Sequence, residues 1–79
     1  MAKDSNIVHV YFRKDSGKTL NLVRVNPIQF TASEITITSG GEPDYREFEI
    51  DEEFERELTA NGYLPSGPLE FNMYLSGLS

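Results

Sequence analysis

Ser16-Gly17-Lys18-Thr19 ends as a phosphate-binding loop ends, with Gly-Lys-Thr placed to hold a phosphate on backbone amides and a lysine. That loop also needs a glycine five residues before Gly17, where this chain has Phe12, and a helix directly after it. Here β-branched and apolar residues flank the string on both sides, so a hairpin turn is the better reading. His9 is the single histidine, which excludes a histidine metal cluster and leaves only a one-histidine dyad as catalytic machinery. Ser5, Ser16 and Ser33 sit in no G-x-S-x-G string. The absence of cysteine removes thiolate nucleophiles, thiolate metal sites and disulfides.

The carboxylates are the richest chemistry in the chain. Residues 42–57 carry nine of them against Arg46 and Arg56, a net −7 over sixteen residues. A glycosidase pair needs two carboxyls about 5 to 9.5 Å apart across a cleft, and a 79-residue chain has little room for one. An EF-hand loop needs glycine at its sixth position, where runs from Asp44 and Asp51 place Glu49 and Arg56. The expectation is a non-enzyme without metal or cofactor.

Two binding surfaces follow from the charges. Glu47, Glu49, Asp51, Glu52, Glu53, Glu55 and Glu57 form an acidic hairpin-helix surface suited to a protein partner with a basic face. Glu47 and Glu49 lie about 6.7 Å apart on a strand, and the five carboxylates from Asp51 to Glu57 span about 9 Å of helix axis. That density approaches the one charge per ~1.7 Å of duplex DNA, so a small inhibitor mimicking nucleic acid is one form of this reading. The plain alternative is a solvated face with a Glu52–Arg56 i,i+4 pair.

The second surface is the basic, aromatic N-terminal hairpin of Tyr11, Arg13, Lys14, Lys18 and Arg24, the raw material for single-stranded nucleic-acid binding or for assembly. A net charge of −6 opposes it, and nucleic acid ranks behind a protein partner. The charge is also uneven: residues 1–33 hold five Lys/Arg against two Asp, whereas 34–79 hold two Arg against eleven Asp/Glu. This asymmetry marks a partner surface or serves solubility.

The elements that position these groups read as one α+β domain over 1–79, a small and mostly antiparallel sheet of about five strands with one short helix on one face. Residues 7–13 and 19–25 flank the KDSGK turn as a first hairpin. In the second strand Leu20 and Leu22 compete with Val23 and Val25 for the core, so it is read as covered on both sides. Asn26-Pro27 ends it, and 28–33 reads as a short edge strand. Ile35 and Ile37, then Phe48 and Ile50, alternate around Ser39-Gly40-Gly41-Glu42-Pro43-Asp44 as a second hairpin.

Asp51 as N-cap, Phe54 and Leu58 as the apolar stripe and Asn61-Gly62 as the stop predict a helix over 52–60. Residues 63–68 read as a connector. The strict alternation of Leu69, Phe71, Met73 and Leu75 predicts a central C-terminal strand, with flexible ends at 1–6 and 76–79. The expected core is Phe12, Ile35, Ile37, Phe48, Ile50, Phe54, Leu58, Leu69, Phe71, Met73 and Leu75. No signal-peptide pattern or membrane-length apolar run is present, and with the lack of cysteine this points to the cytoplasm.

Overall fold

The computed structural model describes residues 9–77. The β-rich runs form β1 (Val10–Asp15), β2 (Thr19–Asn26), β3 (Thr31–Thr38) and β4 (Asp44–Glu49), a continuous antiparallel meander. Helix α1 (Phe54–Ala60) follows. The short β5 (Leu64–Ser66) then returns antiparallel beside β1, and helix α2 (Pro68–Gly77) ends the described chain. The sheet order is β4-β3-β2-β1-β5. The α+β fold with five antiparallel strands is therefore as expected.

The turns obey local chemistry. In the β1–β2 turn the Asp15 carboxylate accepts the Gly17 amide at 2.9 Å, and Gly17 takes the left-handed φ of 89°. Ser16-Gly17-Lys18-Thr19 is thus a strand-to-strand turn rather than a strand-to-helix loop. At the end of β2 the Asn26 side-chain oxygen accepts the Ile28 and Gln29 amides, both at 3.0 Å, which turns the chain sharply after Pro27.

Four expectations need correction. The proposed edge strand at 28–33 is split: residues 27–30 are turn, and Thr31 onward belongs to β3, an interior strand. The connector at 63–68 contains β5. The helix expected over 52–60 begins at Phe54, because Asp51 holds the Glu53 amide at 3.0 Å in a separate turn ahead of it.

The largest correction is at 69–75, which is helical. Every-second-residue alternation there also contains an i, i+3, i+4 stripe, Phe71, Tyr74 and Leu75, and that stripe is what packs on the sheet. The segment has no β-branched residue, and Pro68 at its first position suits a helix start. Leu69 and Met73 consequently leave the expected core and lie 81% and 62% exposed. The helix also takes in residues 76–77 of the expected flexible tail, while 1–6 and 78–79 fall outside the described residues.

The registers sort side chains onto two buried faces. Phe12, Val23, Val25 and Ala32 lie on one, covered by Leu58 and Phe54 of α1. Leu22 and Ile35 lie on the other, covered by Phe71 of α2. Strand β2 is thus covered on both sides, as its ambiguous pattern suggested. Ion pairs bind the margins: Arg13 to Glu70 at 3.0 Å between β1 and α2, and Arg46 to Glu34 at 2.7 Å between β4 and β3.

Helix α1 ends in a double backbone bond, Tyr63 to the Leu58 carbonyl at 3.0 Å and Gly62 to the Thr59 carbonyl at 3.1 Å, with Gly62 at φ 94°. An added Cβ at Gly62 would meet the Lys14 side chain at 3.7 Å in a conformation that L residues resist. Gly62→Ala should cost about 1–2 kcal/mol in urea unfolding, whereas Gly67→Ala, which meets nothing within 4 Å, should be neutral or stabilising. Leu22→Ala should cost about 2–5 kcal/mol by the same measurement, because its side is as fully buried as the α1 side.

Candidate functional site

Among the described residues strand β4 is one edge of the sheet and β5 is the other. The β5 edge is three residues long and contains Pro65, which has no amide to offer. The six-residue β4 edge is longer and carries three carboxylates of the acidic run, Asp44, Glu47 and Glu49. Its side chains alternate, so the carboxylates do not share one plane. Register with Ser33 and Thr31 sends Glu47 and Glu49 to the face opposite α1. Asp51, Glu52, Glu53, Glu55 and Glu57 lie in α1 and the turn before it, so the seven acidic residues wrap the edge from both sides.

Several of these carboxylates have partners. Arg56 pairs with Glu53 at 2.8 Å, an i,i+3 contact, and not with Glu52. Glu47 accepts the Tyr45 hydroxyl at 2.7 Å. Glu49, Glu52 and Glu57 are exposed and take no side-chain hydrogen bond or ion pair among the described residues.

Where β4 passes into α1, a surface depression of about 350 Å³ is lined by Phe48, Ile50 and Phe54 together with Glu49, Asp51 and Glu57. Phe48 and Phe54 meet edge to face with centroids 5.6 Å apart. An apolar floor with a carboxylate rim matches a lysine or arginine side chain, whose aliphatic stem is apolar and whose head is cationic. The carboxylates are legible in the sequence as one dense acidic run, whereas the floor is not, because Phe48 and Phe54 belong to different elements that only the fold brings together.

The basic hairpin is divided by the fold. Tyr11, Arg13 and Arg24 lie on the α2 side, where the Tyr11 ring packs 5.9 Å from Phe71 and Arg13 is held by Glu70. Lys14 lies on the opposite face with its ammonium 5.8 Å from the Tyr63 ring, and Lys18 is in the exposed turn. The five residues therefore do not form one stacking platform.

A second polar site lies on the α2 side of the sheet, at the margin of α2's cover. Tyr11, Arg24, Ser33 and Glu47 fall in one row across β1, β2, β3 and β4. A cavity of about 180 Å³ there is lined by His9, Arg24, Asn26, Gln29, Thr31, Ala32, Ser33 and Glu47. Ser33 is the buried polar residue of the site, and its hydroxyl lies 3.3 Å from the Tyr45 oxygen, whose own proton is given to Glu47. The cavity does join His9 to a carboxylate, Glu47, although no hydrogen bond links His9 to Ser33 or Glu47 among the described residues. No three of the described His, Asp and Glu residues converge as a metal site, and no described helix is long and apolar enough to cross a membrane.

Burial, and then the Arg24 guanidinium, hold His9 below the usual imidazole value of 6.5. The folded state thus resists protonation that the unfolded chain accepts at 6.5, so this contribution to stability falls as pH drops below that value. Arg24→Gln should move the His9 titration upward towards 6.5, read by NMR of the imidazole protons.

Comparison with protein families, with curated proteins and with solved structures finds no match to this chain.

Proposed function

We propose that this chain is a non-enzymatic interaction module, acting in the cytoplasm, that receives a basic extended segment of a protein partner along the β4 edge. The observation that carries the reading is the depression at the β4–α1 junction, where Phe48, Ile50 and Phe54 lie beside Asp51 and Glu57, with Glu49 at its margin on the strand. Along an edge strand, alternate backbone amides and carbonyls point away from the sheet and can pair with an added strand. A basic side chain of that strand enters the depression while its backbone pairs with β4.

The acidic run supports selectivity as well as attraction. Two copies of β4 brought edge to edge would set carboxylates against carboxylates, which disfavours self-pairing. A lysine- or arginine-rich strand meets the opposite condition. An inhibitor resembling nucleic acid is a narrower form of the same reading, and carboxylates split between two faces of an edge favour a peptide-like partner over one shaped for a duplex.

The test is a titration of the full chain with an arginine-rich peptide of alternating β-branched residues, followed by amide NMR and calorimetry. Glu49→Gln, Glu52→Gln and Glu57→Gln combined should weaken binding about tenfold or more and flatten its dependence on salt. The strongest shifts should fall on β4 and the start of α1. Equal binding by the variant and the parent chain would remove this reading.

A further inference from the structure

We propose that the cavity on the α2 side of the sheet binds a small oxyanion, a phosphate or carboxylate group, with Arg24 as its principal ligand. Among the described residues Arg13, Arg46 and Arg56 are each paired with a carboxylate, to Glu70, Glu34 and Glu53. Arg24 is the exception. Its guanidinium carbon lies 4.9 Å from the Phe71 ring centre, so α2 braces the group without neutralising it. A half-buried, braced guanidinium with no carboxylate partner among the described residues presents a planar fork of donors, the geometry that recognises carboxylate and phosphate in bidentate fashion.

The surroundings supply further donors. His9, Gln29, Thr31 and Ser33 line the same cavity. The single Tyr45 hydroxyl proton goes to Glu47 at 2.7 Å, so the Ser33 hydroxyl, 3.3 Å from the Tyr45 oxygen, keeps a rotatable proton that can turn from Tyr45 to a ligand. The volume of about 180 Å³ is well below that of a drug-sized pocket and suits an ionic group rather than a large molecule. Glu47 is the one carboxylate in the lining, and it sits across Ser33 from Arg24, two strands away and engaged by the Tyr45 hydroxyl. The positive end of the cavity is therefore the Arg24 end, and Glu47 limits affinity by repulsion.

This site does not rest on the β4 edge reading, because its principal ligand stands on β2, braced by Phe71 of α2, and it takes a ligand of opposite charge. The experiment is an amide and side-chain NMR titration of the full chain with inorganic phosphate, with acetate and with a short single-stranded oligonucleotide, each at constant ionic strength. Saturable shifts of the Arg24 Nε–H, His9 and Ser33 signals are expected with phosphate or acetate, and which of the two binds more tightly assigns the oxyanion. Arg24→Gln should lower that affinity at least tenfold. Glu47→Gln should raise it severalfold, a gain that a purely structural role for these residues would not produce. Absence of saturable shifts with both small anions, binding by the oligonucleotide alone, or an unchanged affinity in Glu47→Gln would each overturn the proposal.

Discussion

Strand β2 is buried on both faces, and the rest of the molecule is arranged to make that possible. Leu22 and Val23 are neighbours in sequence and point to opposite sides of the sheet, yet each is only 1% exposed. Full burial of side chains this size is worth about 1.5–3 kcal/mol each, so neither face can be left to water. Helix α1 supplies Phe54 and Leu58 to one side, and α2 supplies Phe71 to the other. The core of a 79-residue chain is therefore divided into two thin clusters with β2 between them.

Short helices cannot cover a whole sheet. α1 has seven residues and α2 has ten, and the uncovered remainder is where the polar chemistry collects. At the margin of α2's cover, where Phe71 still reaches Tyr11 and Arg24, strands β1, β2, β3 and β4 contribute Tyr11, Arg24, Ser33 and Glu47 to one row. At the β4 margin, Phe48, Ile50 and Phe54 are only partly buried and leave an apolar floor beneath carboxylates. Both candidate sites are consequences of the same incomplete cover.

The ion pairs act at these margins. Arg13–Glu70 and Arg46–Glu34 are partly exposed, and such pairs add little net stability because solvent screens them. Their effect is positional: one anchors the start of α2 over β1, and the other ties the acidic edge strand to its neighbour. By occupying three of the four arginines, the described ion pairs also leave Arg24 as the distinctive cation.

Local features were determined by the sequence alone. The KDSGK turn, the stop at Asn61-Gly62, the strands rich in β-branched residues and the acidic character of 42–57 each depend on neighbours in the chain, so they were legible without a structure. The identity of 69–75 was not. Its apolar residues satisfy a strand period and a helix stripe together, and the choice rests on whether Phe71, Tyr74 and Leu75 find Leu22 and Ile35 beneath them. Antiparallel register likewise decided which distant residues became neighbours, joining Arg24 to Ser33 and Ser33 to Glu47 and setting Lys14 on the face away from Arg13 and Arg24. Sequence settled what each short segment prefers, while only tertiary packing settled which faces were covered, because cover is a property of two segments and not of one.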